Sequence, residues 1–170
     1  MAVLMVMDGI GYLEGTVVVG DTGLPIPEAS IEVVDTPRTA VTDDAGEFRL
    51  ILQQGTYQLE ISAFGFAIGS AQVTITEDQT VVETYSLDRL PSATISGVVY
   101  DPEGAPAGGA EVKALGTPVP AAVTGADGSY SLLLPVGDTY QLRALIVGVG
   151  IAYADVVLDG DVTQDLFMEP

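Results

Sequence analysis

Along most of the chain, apolar and polar residues alternate with a period of two. Phe48, Leu50 and Leu52 alternate with Glu47, Arg49, Ile51 and Gln53; Tyr57, Leu59 and Ile61 with Gln58, Glu60 and Ser62; Ala71, Val73 and Ile75 with Gln72, Thr74 and Thr76. Successive side chains of a β-strand point to opposite faces, so the pattern predicts strands with one face on a core and the other in water. No stretch sustains a helical period. Strands of roughly five to eight residues, separated by Gly, Pro and Asp turns and numbering about seven in each half of the chain, predict small antiparallel sandwiches.

The two halves repeat one pattern. Val41, Thr42, Gly46, Leu50, Leu52, Gly55, Tyr57, Gln58 and Leu59 recur as Val123, Thr124, Gly128, Leu132, Leu134, Gly137, Tyr140, Gln141 and Leu142. Upstream, "GTVVVGDTGLPIPEASIEV" corresponds to "GVVYDPEGAPAGGAEV". This is a tandem duplication whose boundary falls near "DRLPSA", Asp88 to Ala93, giving expected domains at 13–90 and 94–170 behind an N-terminal segment, 1–12. In "DDAGEF" and "GADGSY" a glycine stands two residues before the aromatic, where a tight hairpin needs positive φ; Gly46 and Gly128 are therefore expected to be structural. Phe48, Tyr57, Tyr130 and Tyr140 fall on the inward phase. Tyr12, Phe64, Phe66, Tyr100 and Tyr153 remain, too dispersed along the chain to read as a sugar-stacking platform.

Charge and composition narrow the function classes. Five Lys and Arg stand against 24 Asp and Glu, for a formal charge of -19, so phosphate backbones and anionic membranes repel the chain and nucleic acid is not an expected partner. There is no Cys, His, Trp or Asn, which removes disulfides, thiolate zinc sites, imidazole bases, the Ser-His-Asp triad and N-glycosylation. Lys113 is the single lysine. With no pair of acids singled out by its setting, the chain is expected not to be an enzyme and to need no cofactor. The acids of "DDAGE" and "DPEG" offer oxygen ligands but lack the spacing of a calcium loop; Asp suits turns because it bonds the local backbone, so no metal site is expected. The longest apolar run, "ALIVGVGIAYA", is too short and too rich in Gly to span a bilayer.

The pattern from Gly97 to Pro106, followed by "AEVKA", "VTGADGSYSLLLPVGDTYQL" and a last strand ending "LFMEP", resembles the carboxypeptidase regulatory-like domain, a transthyretin-like (prealbumin-like) sandwich of the Ig-like kind. The first half is similar through "GTVVVGDTGLPIPEASIEV", "AVTDDAGEFRLILQQGTYQLEISAFGF" and "YSLDRLP". The resemblance implies an all-β chain of two tandem antiparallel sandwiches, used as an extracellular accessory or structural module of prokaryotes. It does not imply peptidase activity, which belongs to a separate metal-binding domain. Related sandwich enzymes rely on His, and this chain has none.

The front of the chain breaks the alternation. Ala2, Val3, Leu4, Met5, Val6 and Met7 are apolar on both phases, as expected of a strand covered on both faces. Aligning Gly15 with Gly97 puts "AVLMVMDG" opposite "TYSLDRLP", the last strand of the first copy and its exit, so the segment reads as an extra N-terminal strand in search of a sheet. A neighbouring copy could supply one by donor-strand complementation, with Gly9 and Gly11 as a flexible joint. Such a contact is head-to-tail and propagates into a filament. The alternatives are that the segment folds back over an edge of its own first domain, is disordered, or is the remnant of a signal peptide. The expected function is thus a structural subunit of an extracellular or cell-surface fibre, a homopolymer whose 15 Thr and 8 Ser offer sites for O-linked sugars, or to which glycan binds. The alternative is a secreted accessory module binding glycan or protein.

Overall fold

The computed structural model describes residues 9–170, and every described element is a strand. The chain divides between Arg89 and Leu90 into two compact units. Unit 1 holds β1 (Ile10–Val19), β2 (Ser30–Val33), β3 (Thr39–Val41), β4 (Glu47–Gln53), β5 (Gly55–Ser62), β6 (Gly69–Ile75) and β7 (Thr80–Leu87). Unit 2 holds β8 (Ser92–Tyr100), β9 (Glu111–Ala114), β10 (Ala122–Val123), β11 (Ser129–Pro135), β12 (Asp138–Ile146), β13 (Gly150–Leu158), β14 (Val162–Thr163) and β15 (Leu166–Phe167).

Each unit is two sheets face to face. In unit 1 the order is β4-β1-β7 over β3-β2-β5-β6; in unit 2 it is β11-β8-β14, with β15 continuing on β8, over β10-β9-β12-β13. The sheets are antiparallel except at one place per unit: β7 runs parallel to β1, and β14 and β15 run parallel to β8. The two sandwiches are thus antiparallel as expected, with a parallel pairing added at the last strand of each. The last strand returns from the second sheet to lie beside the first strand, and a strand arriving from another sheet is not bound to the reversed direction that a hairpin imposes.

The period-two pattern lands in register. Phe48, Leu50 and Leu52 of β4 and Leu13 and Val17 of β1 meet Ile31, Leu59, Ile61 and Val73 in the first core. Ile95, Leu132, Leu134, Leu142, Val156 and Leu158 fill the second. Two buried polar residues recur at equivalent places. Thr42 Oγ1 donates to the Ile26 carbonyl at 2.7 Å and accepts from the Ala29 N–H at 2.8 Å. Thr124 Oγ1 donates to the Ala107 carbonyl at 2.6 Å and accepts from the Ala110 N–H at 2.8 Å. Each hydroxyl ties the loop between the first two strands of its unit to the strand before the hairpin and leaves neither backbone group unpaired.

Candidate assembly interface

Residues Ala2, Val3, Leu4, Met5, Val6 and Met7 lie outside the described residues. Gly9 and Gly11, the joint expected behind them, stand just before and within β1. Gly11 sits within β1 opposite Leu52, and its α-carbon is packed on the Thr76 carbonyl. The Gly9 carbonyl accepts from the Gln54 N–H at 2.7 Å, and a side chain at Gly9 would run into Glu77. Both glycines permit close approach of neighbouring backbone and side chains; Gly11 belongs to the sheet, and Gly9 precedes it with its carbonyl paired. The chain is thus anchored from residue 9 onward.

Gly46 and Gly128 both have φ of +73°. A Cβ at Gly46 would stand 2.6 Å from the Val17 carbonyl oxygen, and one at Gly128 2.6 Å from that of Val99. The acids beside them bond their own turns. The Asp43 carboxylate accepts from the Ala45 and Glu47 N–H groups, each at 2.9 Å, and Asp101 from those of Glu103 and Ala105. Asp127 accepts from the Ser129 N–H and, at 2.6 Å, from its hydroxyl, and these bonds hold its carboxyl below the usual range.

What distinguishes the units is how the last strand is finished. In unit 1, β7 runs unbroken along β1 from Thr80 to Leu87. In unit 2 the same course is interrupted at Gln164 and Asp165, where the Gln164 carbonyl is pressed on the α-carbon of Gly97. Side chains restore the lost pairing: Asp161 accepts from the Thr94 N–H at 2.8 Å and Asp165 from the Val98 N–H at 2.9 Å. The Tyr130 hydroxyl donates to the Gln164 carbonyl at 2.6 Å, and burial, with Asp165 nearby, pushes its pKa up to about 12.

Beyond that break, the edges of the two sheets of unit 2 touch at one point. Ile151 of β13 exchanges backbone bonds with Glu169 at 3.0 and 2.8 Å. Because main-chain groups alternate sides along a strand, Tyr153, Asp155 and Val157 also aim theirs away from β12, and these have no partner among the described residues. The edges part after Ile151, leaving an open groove of about 320 Å³ bounded by Ile151, Ala152, Tyr153, Phe167 and Glu169. Tyr153 is 57% and Phe167 65% exposed. Phe167 stacks on Tyr100, with ring centroids 4.9 Å apart and planes within 10°. Tyr100, Tyr153 and Phe167 are dispersed along the sequence, and the fold gathers all three.

The outer face of β4-β1-β7 carries a hollow of different character, lined by Glu14, Thr16, Asp43, Glu47, Arg49 and Val82. Arg49 pairs with Glu14 at 3.5 Å and lies 4.7 Å over the Tyr12 ring. Among the described residues, no three acids come together as ligands for a metal ion.

The carboxypeptidase regulatory-like domain profile matches twice, over residues 12–88 and 94–169. The chain belongs to that family. Bacillopeptidase F of Bacillus subtilis (strain 168) is 29% identical over 150 residues, which is 86% of this chain and 10% of that protein. This carboxypeptidase regulatory-like pair therefore spans about a tenth of that relative's length. Among solved structures, a variant of the shaft pilin spaA from Lactobacillus rhamnosus GG is similar over 95% of this chain and 99% of its own, at 13% identity and a TM-score of 0.50. The Streptococcal ancillary pilin is similar over 95% of this chain and 63% of its own, at 18% identity and a TM-score of 0.46. At 13% identity the likeness to the shaft pilin is one of fold.

Proposed function

We propose that this pair of carboxypeptidase regulatory-like domains is a non-catalytic structural subunit of a prokaryotic extracellular fibre or surface appendage. Copies join head to tail when residues 2–7 of one add as a β-strand to a neighbour. The observation that carries this reading is the contrast between six consecutive apolar residues and a chain of charge -19. Two such chains repel each other except through neutral surface, and an apolar strand supplies neutral surface together with a full set of main-chain bonds. The paired backbone at Gly9 and Gly11 adds support, since it fixes the point from which the segment leaves β1. The shaft pilin with the same fold is a precedent for such sandwiches in appendages. Thr and Ser on the outer faces would carry O-linked sugars in that setting.

A second reading, a secreted accessory module binding glycan or protein, is favoured by the identity to one stretch of Bacillopeptidase F. Electron microscopy and sedimentation of the intact chain beside one lacking residues 1–8 separate the two. Fibres that vanish on deletion, with both units still folded, support the subunit; a chain that is monodisperse with or without the segment sinks it.

A further inference from the structure

We propose that the groove between β13 and Phe167 in unit 2 is the acceptor for residues 2–7 of a second copy, an assignment that rests on the strand-addition reading above. Six residues of extended chain cover roughly 20 Å, the length of the β13 edge from Tyr153 to Leu158. Along that edge the outward main-chain groups of Tyr153, Asp155 and Val157 stand unpaired among the described residues and offer a ladder for an incoming strand. Where the ladder begins, the exposed rings of Tyr153 and Phe167 flank the groove, with Glu169 between the two edges. An alternating strand would present Val3, Met5 and Met7 on one face and Ala2, Leu4 and Val6 on the other, and the face turned outward would lie beside Tyr153 and Val157, with Asp155 between them.

The duplication makes the case sharper, because unit 1 shows what the same fold does without this surface. By strand register, Tyr153 and Val157 of β13 correspond to Ser70 and Thr74 of β6. The stacked pair of Tyr100 and Phe167 corresponds to Val18 and Ser86. Ser70, Thr74 and Ser86 of unit 1 are thus replaced in unit 2 by Tyr153, Val157 and Phe167, each more than half exposed. Exposing them in water has no folding benefit; covering them with an apolar strand does. Position within unit 2 also fits. The chain enters at Ser92, the start of β8, and the aromatic pair stands at Tyr100, its far end. In unit 1 the corresponding end of β1, at Val19, is where β7 finishes and the chain passes on to unit 2.

The test transplants the residues of unit 1. Tyr153→Ser, Val157→Thr and Phe167→Ser together are expected to leave melting unchanged, since the same residues sit at the same places in a folded unit. They should raise the concentration needed for assembly about tenfold or more, the effect of losing little over 1 kcal/mol of apolar contact. The absence of Cys allows an independent arm in the full chain: Met5→Cys with Tyr153→Cys is expected to give, on oxidation, a ladder of cross-linked multimers on a denaturing gel. If deletion of residues 1–8 abolishes assembly while the triple variant assembles like the parent and the cysteines do not pair, the acceptor lies elsewhere: this assignment is overturned and strand addition stands. A disulfide closed within one chain, or assembly that survives the deletion, overturns both. Loss of polysaccharide binding by the triple variant with assembly intact marks the groove as a sugar platform and also overturns the assignment. Should the triple variant fail to fold, the cysteine pair decides.

Discussion

Gly46 and Gly128 pair a left-handed backbone with a carbonyl oxygen where a Cβ would stand, so two penalties act at one position. Gly46→Val or Gly128→Val is expected to destabilise its own unit by about 2–4 kcal/mol, seen as one depressed melting transition while the other unit is spared. Thr42→Val and Thr124→Val keep shape but strand one buried N–H and one carbonyl each, for an expected loss of about 1–3 kcal/mol. The buried phenols set an alkaline limit. Tyr130 is raised from its ordinary 10.0 to about 12 by burial and then by Asp165, and Tyr85 likewise by burial and then by Glu83; the Tyr85 hydroxyl has no partner among the described residues. The fold favours the neutral phenol, so this stabilisation is whole below about pH 10 and is lost as pH rises through about 12. Thermal melting followed from pH 9 to 12 should fall over that window, and Tyr130→Phe should flatten part of the fall in unit 2.

At the scale of elements, the interrupted last strand of unit 2 depends on two carboxylates. Thr94 and Val98 donate to Asp161 and Asp165 rather than to a strand, each across 67 positions of sequence. Asp165→Ala is expected to cost about 1–2 kcal/mol, because the Val98 N–H is partly buried, and Asp161→Ala less, because its bond is exposed. Melting ranks the two, and hydrogen exchange should quicken locally at Val98 and Thr94. The unbroken β7 of unit 1 has no such dependence. The same fold thus finishes its edge by main-chain pairing in one copy and by side-chain capping in the other.

For the whole molecule, charge opposes the association that the apolar segment would drive. Chains of charge -19 repel over a Debye length of roughly 10 Å at 0.1 M salt and less as salt rises. Assembly through the segment is therefore expected to strengthen from low to moderate salt, the opposite of an interface built on ion pairs; sedimentation across a salt series checks the direction. Leu4→Asp or Met5→Asp should weaken assembly in the full chain without lowering either melting transition, by placing a charge in an apolar slot.

The sequence by itself determined the strands, their buried faces, the duplication and its boundary, because these are local or periodic: the two-residue alternation of Phe48, Leu50 and Leu52 says which side is core without knowing what lies across from it. The resemblance to carboxypeptidase regulatory-like domains is carried by the same local signals. Only the tertiary structure decided what depends on which distant segments meet. It ran β7 parallel to β1, took Gly11 into the sheet, and gathered Tyr100, Tyr153 and Phe167 at one end of unit 2. Those outcomes rest on contacts between residues tens of positions apart. A periodic pattern fixes which face a side chain takes along its own strand, while its neighbours on that face are set by how the strands pair.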